Sequence, residues 1–218
     1  MKDKQNQLLE EVKLIGDGWK SSQYYENVEN MLKVFWGEDS RFLKRFETLD
    51  LSRVLELACG HGRHTEQIKK KAKEIILMDY NQENIDFCKE RFKDQKNVDY
   101  FKNNGLNFQP IPDSSLTAIF CYDAMVHFDH RNVLSYLEDT LRVLAPGGRA
   151  LYHHSNNSYP FATHYGQNPH SRNFMTKELF ARYCMDCGLK VLDQTVFGWG
   201  GGKKRVEDLD CLTLLEKQ

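Results

Sequence analysis

The sequence has no apolar run that approaches membrane-spanning length, which argues against a membrane-embedded chain. Its first residues, MKDKQNQLLEEVKLIG, are charged and lack the apolar stretch of a secretory signal. An excess of one charge is missing too, since 30 Lys and Arg face 31 Asp and Glu. No bulk field therefore draws the chain toward nucleic acid or an anionic lipid surface. The six cysteines (Cys59, Cys88, Cys121, Cys184, Cys187 and Cys211) are scattered rather than paired. Scattered cysteines in a chain of this size point to reduced, buried thiols and a cytoplasmic protein. Cys184 and Cys187 form a single C-x-x-C within a helical pattern, and no second pair follows, so helix packing is preferred over a zinc or redox site. Repeats and low-complexity tracts are absent as well.

What is present is an ordinary globular composition, 40% hydrophobic and 28% charged, in 218 residues. That length suits one compact domain with a small appendage. Residues 1–50 read as helices. The segment SSQYYENVENMLKVFWG opens with a serine cap and spaces Tyr25, Val28, Leu32 and Phe35 or Trp36 as one helix, ending at Gly37. A shorter helix over EDSRFLKRFETL follows.

After Leu51 strands and helices alternate. RVLEL, EIILMDY, VDYFK, LTAIFCYD and RALYHHS read as strands. RHTEQIKKKAK, NQENIDFCKERFKD, RNVLSYLEDTLRVL and TKELFARYCMDCGL read as helices. The second of these is expected to be capped by Asn81, with Ile85, Phe87, Cys88 and Phe92 inward. Two last strands, KVLDQTVF and DCLTLLEK, are joined by GWGGGKKR without a helix. The pattern predicts a parallel sheet with helices on both faces and one antiparallel strand near the end. Residues 1–50 form a helical cap in this reading, and 51–218 the main domain.

In such a sheet ligands sit beyond the carboxyl ends of the strands. Five tips follow: Glu56 to Arg63, Asp79 to Asn81, Asn103 to Gly105, Cys121 to His127, and Tyr152 to Asn156. The first, VLELACGHGRH, sets Gly60 and Gly62 between a strand and a helix, where a missing Cβ lets the backbone approach a ligand. It lacks the third glycine of the dinucleotide fingerprint in either register, since Thr65 or Arg63 stands there. Asp79 follows Glu56 by 23 residues at the next tip and can accept hydrogen bonds from two ribose hydroxyls. As a helix cap it would duplicate Asn81.

Glu56-Leu57-Ala58-Cys59-Gly60-His61-Gly62 resembles the E/D-x-G-x-G-x-G motif of class I S-adenosylmethionine-dependent methyltransferases. Asp79 matches that family's ribose acid, and Asn104-Gly105 its adenine site. IPDSSLTAIFCYDAMVHF and LRVLAPGGRALYHHSN resemble its fourth and fifth strand regions. The likeness runs from Arg53 to Asn156 with the motifs in order, departing at Ala58 for glycine and Asn104 for the commoner Asp. It implies a Rossmann-like, seven-stranded, mostly parallel sheet whose seventh strand is antiparallel beside the fifth. It further implies S-adenosylmethionine as cofactor, held by Tyr25, Glu56, Ala58, Gly60, Gly62, Asp79, Tyr80, Asn104, Gly105 and Cys121.

A sulfonium methyl is already activated, so the protein must align the acceptor and help remove its proton. The candidates are His127 and His154, with Asp123 near the methyl. His153 and His154 point to opposite faces of their strand, so at most one looks into the site. No metal is expected, because Ser155 and Asn156 supply only half of the pair that metal-dependent relatives use. Arg63 reads as no more than a solvent-facing residue. Trp19, Tyr24 and Tyr25 belong to a cap over 15–36, and 157–175 forms a substrate loop. The reading is methylation of a small polar molecule at a hydroxyl, with no nucleic-acid or membrane partner. The signature N-P-P-Y of base-amino methyltransferases is missing, CYDA standing in its place. A non-catalytic binding protein and a nicotinamide-dependent oxidoreductase are the alternatives.

Overall fold

A computed structural model of the chain describes residues 2–158 and 165–218. Four helices lead in: α1 (Lys2–Trp19), α2 (Tyr24–Glu29), α3 (Leu32–Trp36) and α4 (Arg41–Phe46). Then come β1 (Arg53–Leu57), α5 (Arg63–Ile68), β2 (Glu74–Asp79), α6 (Gln82–Arg91), β3 (Val98–Lys102) and β4 (Leu116–Cys121). The chain continues through α7 (His130–Val143), β5 (Leu144–Ser155), α8 (Lys177–Asp186), β6 (Leu189–Trp199) and β7 (Val206–Lys217). These seven strands form one sheet in the order β3-β2-β1-β4-β5-β7-β6. Strands β1 to β5 pair in parallel, and β7 runs antiparallel between β5 and β6. The sheet therefore has the expected Rossmann-like architecture.

The strands are apolar on both sides, and alternate residues feed two cores. Leu55, Leu57, Ile119, Cys121 and Tyr152 face α7 and α8, meeting Val133, Tyr136, Phe180 and Cys184. Val54, Ile75, Leu77, Phe120 and Leu151 face the other way, onto Phe35, Phe42, Ile68, Cys88 and Phe92. Burying both faces is what a parallel sheet requires, and it explains the near-continuous apolar runs. The strand order reverses between β1 and β4, opening a crevice at their carboxyl ends.

Three local expectations are corrected. The helix expected up to Gly37 breaks at Asn30–Met31, because its halves serve different partners. Glu29 of α2 pairs with Arg91 of α6, whereas Phe35 of α3 is fully buried in the core. Asn81 occupies the cap position of α6 but makes no side-chain cap; its Nδ2 donates to the Gly16 carbonyl at 2.9 Å instead. Phe87 is 46% exposed, stacked on His61 at 3.8 Å rather than packed inward. Cys184 is buried in the core, and no cluster of metal-ligating side chains occurs among the described residues. No helix among them is long and apolar enough to cross a membrane. Of the anticipated substrate loop 157–175, residues 159–164 lie outside the described residues.

Candidate active site

A cleft opens at the reversal point, floored by the β1, β2 and β4 tips and roofed by α1 and α2. Its first wall is the turn after β1. Ala58, Gly60 and Gly62 all take positive φ, at +55°, +52° and +74°. The two glycines are needed for different reasons. A Cβ on Gly60 would stand 2.7 Å from the Tyr25 ring, and one on Gly62 would stand 2.5 Å from Phe92. Gly60 thus meets the cleft, while Gly62 meets the core behind it. Glu56 also lies behind the cleft wall, 2% exposed, accepting the Thr65 hydroxyl at 2.6 Å. Burial pushes its pKa up to about 7, against the pull of Thr65 and Arg63.

Asp79 lines the cleft and ties its walls together. One carboxylate oxygen accepts the Gly60 amide at 2.9 Å, and the other accepts the Asn81 amide at 2.8 Å and Asn84 Nδ2 at 3.0 Å. Burial raises its pKa, and these bonds oppose the rise. Tyr25 stacks on His61 at 4.5 Å, and its hydroxyl accepts from Asn84 Nδ2 at 3.0 Å. Tyr80 and Gly105 complete this end, with Val12 and Gly16 of α1 above them.

Two more expected cofactor residues, besides Glu56 and Gly62, do not line the cleft. Asn104 is exposed, and its Oδ1 accepts the Leu106 and Asn107 amides at 2.8 and 3.0 Å. That turn directs it toward an outer depression, and Asn103 lines the cleft in its place. Cys121 points into the α7–α8 core, because strand alternation puts Tyr122 rather than Cys121 on the cleft side.

The far end is built around Asp123, whose φ of +60° is rare for a non-glycine residue. Its Oδ2 accepts the Tyr24 hydroxyl and Arg63 Nη2, the latter at 3.0 Å. Its backbone N–H donates to His153 Nδ1 at 3.0 Å, so His153 carries its proton on Nε2 and gives it to Asp210 at 3.0 Å. Arg172 closes the network with bonds of 2.8 and 2.6 Å to the two oxygens of Asp210. Burial alone would raise the Asp210 pKa, but Arg172 and His153 hold it well below the usual carboxylate range.

His127 lines the same end, in a short 3-10 turn (Met125–His127), 4.7 Å from the Trp19 ring. Its Nδ1 donates to the Ser171 carbonyl at 2.7 Å, which leaves Nε2 as the acceptor. Burial and Arg172 depress its pKa to about 4, so the ring is neutral at physiological pH.

His154 is not brought to the site. It lies on the opposite face of β5, stacked on Phe180 at 3.8 Å, and both ring nitrogens are engaged, by Ser155 and Thr213. Burial takes its pKa down to about 3. The expectation for Arg63 is also corrected: the residue is 8% exposed and lines the cleft. A charged residue at the start of a helix is ordinarily solvated, and the Asp123 partner lies 60 residues away in the chain. Asn132, Arg172 and Asp210 gave no sequence signal either.

Residues 54–148 match a family model described as a methyltransferase domain. Over that stretch the chain carries a methyltransferase domain. Among curated proteins no sequence matches it. Solved structures resemble it in fold at low identity. The PH0226 protein from Pyrococcus horikoshii OT3 is 16% identical, with a TM-score of 0.61 over 90% of this chain and 92% of that one. The [4+2]-cyclase SpnF is 12% identical, at 0.65 over 90% and 83%. Geranyl diphosphate C-methyltransferase from Streptomyces coelicolor A3(2), solved with Mg2+, geranyl diphosphate and S-adenosyl-L-homocysteine, is 14% identical, at 0.61 over 77% and 73%.

S-adenosylmethionine is the methyl donor of this family. The cleft of the methyltransferase has the features of a ligand site. Four buried side-chain polar atoms lack a partner among the described residues, and three belong to residues lining it: Trp19 Nε1, Arg63 Nη1 and Asn132 Oδ1. Buried polar atoms are normally paired, so their gathering in one cleft marks where a polar ligand goes.

Proposed function

We propose that the methyltransferase transfers a methyl group from S-adenosylmethionine to a small polar molecule, at a hydroxyl oxygen. Supporting this is the meeting of His127, Asp123 and Tyr24 under Trp19, at the end of the cleft away from Asp79. Asp79, Ala58, Gly60, Tyr80, Gly105 and Tyr25 would hold the donor, with Asn103 taking the wall position assigned to Asn104. Glu56 and Gly62 would act from behind, by fixing the turn. Residues 1–50 would serve as the cap of a 51–218 domain.

Bound S-adenosylmethionine would supply a methyl activated on a sulfonium, with S-adenosylhomocysteine as the leaving group. The protein's own part is alignment and proton removal. Nε2 of His127 presents a lone pair, because Nδ1–H is committed to Ser171. The imidazolium formed on taking the hydroxyl proton is favoured by the Asp123 and Asp210 carboxylates, which oppose the depressing effect of burial and Arg172. Walls formed by Val12, Ile15 and Trp19 of α1 favour a small acceptor, and a net charge of −1 gives no pull toward RNA. The fold by itself does not fix the reaction, as the cyclase neighbour illustrates.

The test is transfer of labelled methyl to a panel of nucleotide sugars and phenols, beside tRNA and protein. Transfer to a hydroxyl compound is expected, and His127→Ala should lower turnover by about 10²–10⁴-fold with little change in S-adenosylhomocysteine affinity. Robust transfer to tRNA or protein, with none to the small molecules, would overturn the proposal.

A further inference from the structure

Two guanidinium groups approach Asp123, and they are not equally satisfied. Arg172 spends its donors on Asp210 and on the His170 carbonyl. Arg63 has a side chain only 10% exposed, with Cζ 4.5 Å from the centre of the Phe35 ring. Its side edge is engaged: Nε faces His64 Nε2 at 3.2 Å, and Nη2 donates to Asp123 at 3.0 Å. Its end edge is not, for Nη1 is buried and has no hydrogen-bond partner among the described residues.

Even the Nε contact is contested. Trp36 Nε1 donates to His64 Nδ1 at 3.0 Å, so both nitrogens of that ring face donors. A neutral imidazole offers one acceptor, and a charged one offers none. Arg63 is therefore a buried cation with fewer acceptors than its five N–H groups call for. A group in that condition costs stability until something completes it.

The surroundings define what would complete it. Arg63 lines the cleft, and so does Trp19, whose Nε1 is the other unpartnered donor. They flank Tyr24, with the Trp19 ring 5.4 Å and Arg63 Cζ 5.8 Å from the Tyr24 ring centre. Asp123 cannot serve further, since Tyr24 and Arg63 already share one of its oxygens and Arg172 stands 3.9 Å from the other. An oxygen-bearing planar anion matches the free end edge of a guanidinium.

We propose that Arg63 is the carboxylate-binding residue of the cleft, receiving a carboxylate of the bound ligands on Nη1. The proposal rests on the methyltransferase reading above. Two ligands can present that group: the donor, through its amino-acid tail, or an acceptor that is itself a carboxylic acid.

Calorimetry on the wild type, Arg63→Met and Arg63→Lys separates these sources. The probes are S-adenosylhomocysteine, 5′-methylthioadenosine, which keeps the adenosine and sulfur but lacks the tail, and benzoate titrated into the S-adenosylhomocysteine complex. If the donor tail is bound, Arg63→Met weakens S-adenosylhomocysteine by about 10- to 100-fold and leaves 5′-methylthioadenosine unchanged, with Arg63→Lys between. If the acceptor is bound, both nucleosides keep their affinity, and benzoate binds the wild-type complex but not the Arg63→Met complex. Equal weakening of both nucleosides would overturn the proposal and make Arg63 a support for the turn. Unchanged nucleosides with benzoate binding alike to both proteins, or to neither, would overturn it as well. Should Arg63→Met fail to fold, Arg63→Lys keeps the charge beside Asp123 and carries the same comparisons. A wild type that binds neither nucleoside would sink the donor reading itself, an outcome distinct from any effect of Arg63.

Discussion

At the Asp79 end of the cleft, the groups that hold one another come from a short span: Gly60, Asp79, Asn81 and Asn84 share one carboxylate. At the Asp123 end, Tyr24, Arg63, His153, Arg172 and Asp210 converge from five separate segments. The first end is held by two backbone amides and one side-chain amide that bond a single carboxylate. The second uses long charged side chains, two of them arginines, in a dry setting. A donor that every family member shares can be held by the first kind of construction. A second construction, assembled from distant segments, is where a particular acceptor would be specified.

If that contrast holds, the acceptor end should fail most severely when one distant residue is removed. Arg172→Met leaves Asp210 buried without its bidentate partner, although the Met side chain still covers Trp199. Breaking a buried pair this way costs about 3–5 kcal/mol, readable by urea unfolding at pH 7. Asp210 has a folded pKa below its unfolded value, so its contribution is present above the unfolded value and is lost as pH falls. The penalty of Arg172→Met should therefore hold down to about pH 4 and shrink only as the pH falls below the ordinary carboxylate value of 3.8. A cost below about 1 kcal/mol at pH 7 would mean that the distant residues are not what holds this end.

The same contrast explains what could be read from the chain beforehand. The strands, the crossover order and the antiparallel ending were legible, because apolar runs and glycine turns are local signals. Ala58, Gly60 and Asp79 were legible for the same reason. His154 failed as a candidate because alternation shows only that the two histidines differ in face. His154 stacks on Phe180, whereas His153 is buried among Tyr122 and Trp199 and reaches the cleft only through the Asp123 amide. Asn104 was misplaced because two adjacent asparagines can exchange roles when one of them builds the turn. Arg63 was missed because a charged residue at the start of a helix is ordinarily solvated, and its partner Asp123 lies beyond the tip of another strand.

The Asp79 end has its own electrostatic weak point behind the turn. Glu56 is fully buried, with a folded pKa near 7 against an ordinary value of 4.5. Between those values the folded protein binds a proton that the unfolded chain does not, so stability falls as pH rises through that window and levels off above it. The full effect is about 3 kcal/mol. Glu56→Gln keeps an acceptor for Thr65 and removes the ionisation. Its advantage over the wild type should be largest at pH 8 and smallest at pH 4.5. An advantage that does not change with pH would show that Glu56 is solvated more freely than its burial indicates.

The smallest effect is the sharpest test of the turn itself. Ala58 holds φ at +55°, where a Cβ crowds the backbone and a left-handed residue costs about 1–2 kcal/mol. Ala58→Gly removes that strain but gives the unfolded chain more freedom, worth about 0.4–1 kcal/mol in the opposite sense. The balance favours the variant by about 0.5 kcal/mol, a rise in Tm of about 1–2 °C for a chain of this size. The Ala58 side chain also packs against the core below the cleft, which glycine would forfeit. A fall in Tm would therefore show that this methyl group holds the turn closed by packing. The alanine would then be a working part of the donor end, where the family pattern has only a glycine.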